Sequence, residues 1–243
     1  MSEFVGSPNL PQSKVTAVVV SGENEAVCRA LEGLGISLFK TDPCARLAAP
    51  VASHADMLFC HLGGDRVIAE RSQKKLGEQL ERQGFIVSDH EIESGRYPFD
   101  AGLNVLRLNG RAVFCPKSAA ERAVADLEPV PVRQGYTKCS VCVVDESSII
   151  TDDESIERAC REHFDVLKIR KGFVRLPGYD YGFIGGCTGM IDKNAVAFCG
   201  SLSSHPDGNR IKAFLSERNV EAVELFEGEL IDIGSILPVM TVR

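Results

Sequence analysis

Residues 103–127 read LNVLRLNGRAVFCPKSAAERAVADL. The apolar run at residues 103–108 predicts a strand, and Asn109-Gly110 is a dipeptide that favours a two-residue turn between antiparallel strands. Residues 111–114 predict the returning strand, and residues 118–127 predict a helix. This stretch therefore predicts a hairpin that leads directly into a helix.

The same order of strand, polar turn, strand and helix recurs about five times along the chain. A repeat of roughly 40 to 50 residues is typical of propeller-like or solenoid arrays. The other complete units are predicted at residues 57–87, 140–169 and 189–226, with turns at residues 63–65, 145–146 and 192–194 and helices at residues 73–83, 154–164 and 207–218.

The fifth unit is divided between the two ends of the chain. Residues 231–242 supply only its opening, while residues 15–20, 23–34 and 36–39 predict the missing strand, helix and strand. We therefore expect an α/β fold, a five-unit ββαβ α/β propeller closed into a ring. Closure of the ring removes the exposed strand edges that an open array must protect.

The predicted domain organisation is simple. Residues 1–14, which are polar and contain proline, are expected to form an N-terminal arm, and residues 15–243 a single domain. The alternative is an ordinary doubly wound sheet of parallel strands. The turns Gly63-Gly64 and Asn109-Gly110 disfavour this alternative, because they imply antiparallel hairpins.

Composition narrows the function classes. The chain carries 27 Lys and Arg against 34 Asp and Glu and has no basic run, which disfavours a nucleic-acid partner. No stretch is apolar and long enough to span a membrane, and residues 1–13 lack the features of a secretory signal. Nine cysteines without an export signal predict free thiols and a cytoplasmic location.

The sequence predicts no metal and no cofactor. Cys139 and Cys142 form a C-x-x-C pair, but residues 140–144 read as a strand. Side chains three apart on a strand point to opposite faces, so one metal could not easily bind both cysteines. No second pair of cysteines or spaced histidines completes a zinc set, and nothing calls for a nucleotide or a flavin.

Three acidic residues occupy equivalent places in the repeat. Asp100, Asp180 and Asp232 each precede or begin the first strand of a unit and have glycines close by. In a ring these places converge on the axis, which predicts a shared acidic pocket for a small cationic molecule. Glycine lets a backbone approach a ligand closely. The alternative is that each Asp only caps a turn.

Several phrases carry a family resemblance, which covers nearly the whole chain from about Val15. The phrases are His54-Ala55-Asp56, Tyr97-Pro98-Phe99-Asp100, residues 134–140, residues 178–186 and residues 232–238. Together with the order of the units, they resemble the pentein fold of the guanidino-group-modifying enzymes, and within it an uncharacterised bacterial branch. That group includes arginine deiminases, dimethylargininases and amidinotransferases.

The resemblance implies a chemistry, from which this chain departs at two points. In the catalytic members, carboxylates grip the guanidinium group, a cysteine attacks its central carbon and a histidine moves protons. Here Pro238 stands where the nucleophile of the family is expected. The H-x-D motif of the enzymes lies in a late unit, where this chain reads Phe183-Ile184-Gly185, and its own His54-Ala55-Asp56 lies in the first unit.

A rearranged site is predicted instead. Cys139 lies at a place related by the repeat to the family nucleophile, and Cys187, after Gly185-Gly186, is a second candidate nucleophile. His54 is the candidate general base and Asp56 its orienting partner or a ligand acid. Lys138 is expected to point away from Cys139. The candidate substrate-binding residues are Asp100, Asn104, Lys138, Asp180, Gly185, Gly186 and Asp232.

Two functions follow from these residues. The first is a cysteine-dependent hydrolase or transferase acting on a small guanidine, amidine or amino-acid-like substrate. The alternative is a non-catalytic small-molecule binding protein that has lost the family nucleophile, and Pro238 favours it. A scaffold role on a protein or ribosomal surface has no sequence feature in its favour.

Overall fold

The strands form five small sheets, and the computed structural model describes residues 2–243. Met1, part of the predicted arm, lies outside the described residues. In chain order the elements are β1 (Ser2–Phe4), β2 (Val15–Ser21), α1 (Glu25–Gly33), β3 (Ser37–Thr41), α2 (Ala55–Leu58), β4 (Phe59–Gly63), β5 (Arg66–Glu70), α3 (Lys74–Arg82), β6 (Ile86–His90), β7 (Leu106–Leu108), β8 (Arg111–Phe114), α4 (Glu121–Val124), β9 (Glu128–Pro131), β10 (Val141–Val143), β11 (Ser148–Thr151), α5 (Glu154–Cys160), β12 (Asp165–Lys168), β13 (Thr188–Asp192), β14 (Ala195–Phe198), α6 (Gly208–Ser216), β15 (Glu221–Glu224) and β16 (Leu237–Val242).

Four of the sheets repeat one pattern. An antiparallel hairpin is followed by a helix and by a third strand that pairs in parallel with the second, as in β4-β5-β6, β7-β8-β9, β10-β11-β12 and β13-β14-β15. In β7-β8 the turn residues Asn109 and Gly110 have φ of 47° and 75°, the left-handed values that a two-residue hairpin turn requires. The predicted antiparallel hairpins are confirmed, and the doubly wound alternative is wrong.

The fifth sheet takes strands from both ends of the chain. Its order is β1-β16-β2-β3, so the C-terminal strand lies between two N-terminal ones. β16 pairs antiparallel with β2, with Leu237 opposite Val19, and β2 pairs in parallel with β3. Ser2 pairs with Val242, which places residues 2–4 of the predicted arm at the edge of this sheet. The division into an arm and a single domain stays a prediction.

Some predicted boundaries are wrong for identifiable reasons. The strand predicted from residue 57 begins at Phe59, because residues 55–58 form the short helix α2, all of it buried. The helix predicted at residues 118–127 is reduced to α4, which ends where Asp126 takes a left-handed φ of 62°. The strand predicted from residue 231 begins at Leu237, since Gly234 and Ser235 have φ of 76° and 72°.

The helices bury one side against the sheets. In α1 the buried residues are Val27, Cys28 and Leu31, and in α5 they are Ile156 and Cys160. Spacings of three and four residues place each set on one helical face, and burying one such aliphatic side chain contributes about 1.5–3 kcal/mol. Helices of this kind form an outer layer and leave the loops before the hairpins free to build a site.

The segments that precede the first strand of each unit are joined by hydrogen bonds. Successive bonds run from Asn104 Nδ2 to Met57 Sδ (3.5 Å), from Cys139 N to Asn104 Oδ1 (3.1 Å), from Gly186 N to Cys139 O (2.8 Å), from Ser235 N to Gly186 O (2.8 Å) and from Asp56 N to Gly234 O (3.0 Å). Each segment is thus held against the next, and the last is held against the first.

Within residues 2–243, no helix has the length and apolar character needed to cross a membrane. The nine cysteines are free and buried.

Candidate functional site

A cavity of about 210 Å³ lies where these joined segments meet. It combines an apolar and aromatic wall with a small number of polar groups, which is typical of small-molecule sites. The residues that line it are Val51, His54, Met57, Tyr136, Cys139, Leu176, Tyr179, Asp180, Tyr181, Phe183 and Asp232. We call this cavity the thiol pocket.

Asp232 is the fixed acid of the thiol pocket. Its side chain is fully buried. Oδ2 accepts a hydrogen bond from Phe183 N at 2.9 Å, and Oδ1 accepts one from Gly234 N, also at 2.9 Å. Two backbone donors therefore hold the carboxylate in one orientation, with its remaining lone pairs available to a thiol or a ligand.

The Cys139 thiol points at this carboxylate. Its Sγ lies 3.3 Å from Asp232 Oδ2 and 3.6 Å from Oδ1. Burial, followed by the negative charges of Asp232 and Asp56, raises the pKa of the Cys139 thiol well above its usual value. The direction of this shift and the short Sγ–Oδ2 distance both favour a neutral thiol that donates to Asp232.

His54 completes the group. Its Nδ1 lies 3.7 Å from Asp232 Oδ1. Gly234, at φ of 76°, packs directly against the histidine, and a Cβ added to Gly234 would lie 2.3 Å from His54 Cβ. Only glycine gives both the left-handed backbone and the space for His54 to approach Asp232.

Gly185 and Gly186 are packing residues of the site rather than wall residues of the cavity. A Cβ on Gly186 would lie 2.0 Å from Asp232 Oδ1, and one on Gly185 would lie 2.3 Å from Val141 O. Their missing side chains allow the Asp232 carboxylate and the backbone around Cys139 to meet. Asn104 acts on the same backbone, since its Oδ1 accepts from Lys138 N at 2.9 Å and from Cys139 N at 3.1 Å.

Asp56 and Lys138 are connected through a residue that the sequence did not single out. Ser235 Oγ donates to Asp56 Oδ2 at 2.6 Å, and Lys138 Nζ donates to Ser235 Oγ at 3.1 Å. Burial raises the pKa of Asp56, and the charge of His54 opposes that rise. Lys138 lines a different cavity from the one that Cys139 lines.

His54, Asp56 and Cys139 could supply ligands to a metal. Their nearest ligand atoms all lie within 4.8 Å of one another, and nitrogen, oxygen and sulfur donors together suit Zn²⁺. In this structure the Asp56 carboxylate accepts from Ser235 and the thiol is directed at Asp232. The absence of a metal stays a prediction.

Aromatic rings surround the opening. Tyr136, Tyr179, Tyr181 and Phe183 line it, and Asp180 lies exposed among them. The rings of Tyr136 and Phe183 are 6.1 Å apart between centroids. Aromatic faces attract cations, so the aromatic opening and the Asp232 carboxylate below it both favour a positively charged ligand.

The remaining predicted residues lie outside the thiol pocket. Asp100 stands behind Tyr136, whose hydroxyl donates to Asp100 Oδ2 at 2.8 Å. Cys187 is fully buried and its Sγ donates to Ile184 O at 3.2 Å. Pro238, at the place of the family nucleophile, lies in β16, where it pairs with Val18 of β2. It lines the same cavity as Lys138.

The structure therefore brings together His54, Asp56, Cys139, Asp180 and Asp232, with Asn104, Gly185 and Gly186 supporting them. Sequence reasoning missed Ser235 and the aromatic wall. Ser235 had one signal, its position directly after Gly234 in a phrase already marked by glycine and acid. The tyrosines lie in phrases that were noted for their resemblance and not for their side chains.

Comparison with solved structures identifies the fold. An inosamine-phosphate amidinotransferase from Streptomyces griseus matches with a TM-score of 0.57 at 10% identity, over 97% of each chain. An agmatine deiminase from C. jejuni matches with a TM-score of 0.56 at 9% identity, over 92% of this chain and 91% of its own. An amidinotransferase from Microseira wollei in the saxitoxin biosynthetic pathway matches with a TM-score of 0.55 at 11% identity, over 94% of this chain and 96% of its own. The fold is thus that of the penteins, and at these identities the likeness concerns the fold alone.

Residues 19–237 match the sequence model of a family of unknown function, DUF6873. The chain belongs to this family. No curated protein matches the sequence.

Proposed function

We propose that this protein is a cysteine-dependent hydrolase or transferase that acts on a small guanidine or amidine cation. Cys139 is the nucleophile, His54 carries protons and Asp232 binds the cation. The observation that carries the proposal is the meeting of these three side chains in one pocket, although they come from three different units.

We also infer that the five units close into a ring with the thiol pocket on its axis. Two observations support closure. One sheet is built from both ends of the chain, and hydrogen bonds link each pre-strand segment to the next and the last to the first. The equivalent segment of any unit then reaches the axis, which accounts for a nucleophile in a unit other than the expected one.

The lining of the pocket favours a planar cation. A carboxylate accepts two parallel hydrogen bonds from a guanidinium or amidinium group, and the rings above it offer cation–π contacts. Among the residues that line the described pocket, none is Lys or Arg. Lys171, whose Nζ lies 4.8 Å from the centre of the Tyr181 ring, is a cation beside the pocket wall that would bind the carboxylate of an amino-acid-like substrate.

The chemistry begins with a neutral thiol. A bound cation beside Cys139 favours the thiolate and lowers the thiol pKa, and the released proton passes to His54. The thiolate then bonds to the central carbon, and the C–N bond to the leaving amine breaks as that amine takes the proton from His54. Water completes hydrolysis, or a second amine completes transfer, by attacking the same carbon and displacing Cys139.

The alternative is a binding protein without turnover. Pro238 at the place of the family nucleophile favours it, and so does the raised pKa of the Cys139 thiol. Such a protein would keep the acid and the aromatic wall and would use Cys139 only as a hydrogen-bond donor.

The deciding experiment assays small guanidines and amidines with the wild type, Cys139→Ser and Cys187→Ser. We expect turnover in the wild type and in Cys187→Ser and none in Cys139→Ser. Full activity in both variants would exclude Cys139 and Cys187 as the nucleophile and so overturn the proposed cysteine-dependent mechanism. Ligand-induced thermal stabilisation without turnover, lost in Asp232→Asn, would identify the binding protein. Pretreatment with a chelator is expected to leave turnover unchanged.

The predicted cytoplasmic location and the single domain at residues 15–243 remain part of this proposal. The proposed partner is a small molecule.

A further inference from the structure

A second, smaller cavity lies on the side of the molecule to which Lys138 points. Its volume is about 20 Å³, which is enough for one water molecule or one monatomic ion. Arg107, Lys138, His61, Cys60 and Asn9 contribute to its wall. We call it the rear cavity.

Arg107 brings a buried positive charge to the rear cavity. The residue, in β7, is 8% exposed. Its Nη1 donates to Ala123 O at 2.7 Å and its Nη2 to Leu62 O at 3.2 Å, but its Nε has no partner in the described chain. Within residues 2–243 no carboxylate lies within ion-pair distance of the guanidinium. Buried charges are ordinarily paired, because an unpaired one is costly.

Lys138 brings a second set of N–H donors. Burial lowers the pKa of its ammonium group, and the negative charge of Asp56 opposes that shift. The residue is 6% exposed, and the one hydrogen bond of its side chain within the described residues is to Ser235, which in turn donates to Asp56. An ammonium group has three N–H donors, so two are left for another acceptor. Asp56 is linked to Lys138 through Ser235. The acid whose charge acts on Arg107, the exposed Asp126, forms no ion pair with it within the described residues.

The other polar groups of the rear cavity add no negative charge. Burial raises the pKa of the Cys60 thiol to about 11 and lowers the pKa of His61 to about 4, so both are neutral near pH 7. His61 Nε2 donates to Gly64 O at 3.0 Å, and its Nδ1 is left as an acceptor without a partner in the described chain.

We propose that the rear cavity binds one monovalent, monatomic anion of the chloride class, held by the Nε–H of Arg107 and the Nζ of Lys138. A water molecule would fit the volume and could also donate to His61 Nδ1, but it would leave the Arg107 guanidinium without an ion-pair partner. An anion balances that charge. It also ties β7 to the segment before β10, and so supports Cys139 from behind.

The direct test is crystallography of the full chain grown in bromide. We expect an anomalous peak in the rear cavity. Bromide peaks elsewhere on the molecule, with only a water in the rear cavity, would overturn the proposal.

The second test measures thermal unfolding in chloride, bromide and gluconate at equal ionic strength. Gluconate is too large for the cavity, so we expect a saturable rise in Tm with chloride and bromide alone, because a ligand that binds only the folded state stabilises it. Arg107→Met should lose this rise. Arg29→Met, at a side chain that is 71% exposed, should keep it. If Arg107→Met does not fold, the wild-type comparison decides, and equal Tm values in all three salts would overturn the proposal.

Discussion

The Cys139 thiol and the Asp232 carboxylate are coupled, and their coupling can be measured. Because burial and Asp232 raise the thiol pKa, we expect the alkylation rate of Cys139 in the free protein to rise with a midpoint above the free-thiol value of about 8.5. Asp232→Asn removes the negative charge, so the midpoint should fall. Alkylation across pH with peptide mass mapping gives both values.

The matched control for this measurement is Asp180→Asn, at an exposed acid of the same pocket. It should leave the Cys139 midpoint close to that of the wild type. A wild-type midpoint below the free-thiol value would mean that the thiolate already exists without ligand, and the role assigned to a bound cation would then be wrong.

Gly186 offers a test of the packing around Asp232. In Gly186→Ala the new Cβ would lie 2.0 Å from Asp232 Oδ1, so the carboxylate must move away from Cys139 and His54. We expect ligand binding or turnover to fall at least tenfold, because small displacements of catalytic groups have effects of this size. Steady-state kinetics or ligand-induced thermal shifts measure the loss.

Gly33→Ala is the control for the glycine test. Gly33 lies in α1, with ordinary backbone angles and nothing within 4 Å of an added Cβ. Alanine is favoured over glycine in a helix by up to about 1 kcal/mol, so this variant should be as stable as the wild type or more so, with full activity. If Gly186→Ala were as active as the wild type, ligand binding would not depend on the position of Asp232 that Gly186 allows.

For single residues, the sequence predicted which ones lie near the site but not the direction in which each side chain points. His54, Cys139 and Asp232 could be placed near the axis because each falls next to the first strand of a unit. Cys187 occupies an equivalent place, yet its thiol turns to Ile184 O. That difference depends on the rotation of a short buried turn at Gly185–Cys187, which no local sequence pattern determines.

The start of α5 has an isolated cap that can be tested for stability. Asp153 Oδ1 accepts from Ser155 N at 2.8 Å and from Ile156 N at 2.9 Å. Burial acts to raise the pKa of Asp153, but the hydrogen bond from Ser155 Oγ, these two backbone bonds and one from Gln134 outweigh it and lower the pKa. Asp153→Ala should reduce the free energy of unfolding by about 1 kcal/mol, measured by urea denaturation at neutral pH.

The pH dependence of this cap follows from the direction of its pKa shift. A carboxylate with a lowered folded-state pKa stabilises the protein above its unfolded-state pKa of about 3.9 and loses that contribution as pH falls through the folded-state value. Asp153→Asn keeps a good cap without the charge. The stability difference between wild type and Asp153→Asn should therefore shrink in acid. An unchanged difference would contradict the assignment.

Helices and strands could be predicted from the sequence where clear turn-forming residues separate them. The Asn109-Gly110 hairpin and the one-sided helices follow from turn chemistry and periodicity. The helix α2 did not follow, because residues 55–58 are buried on every side and a short apolar run has the same composition in a buried strand as in a buried helix.

The whole molecule was predictable in its unit order, since a unit shared by the two ends needs only element order and no side-chain detail. The thiol pocket itself was not predictable in shape. Its wall depends on Tyr136, Tyr179 and Phe183, which come from loops whose course is set by contacts across units, such as the bond from Phe183 N to Asp232.

The proposed ring closure predicts where the chain can be opened. Ser2 pairs with Val242, so a short Gly-Ser linker can join the ends, and a new opening between Asn109 and Gly110 would divide the β7-β8 hairpin as β16 and β2 are divided now. We expect this circular permutant to fold with the wild-type circular dichroism spectrum and Cys139 alkylation profile, because every sheet is preserved.

The control is an opening between Gly185 and Gly186, both buried beside Asp232 and Cys139. This permutant should not fold. A second control is the circular chain, in which the linker joins the two ends and no new opening is made. If this circular chain folds and the Asn109–Gly110 permutant does not, the units are not equivalent members of a closed ring.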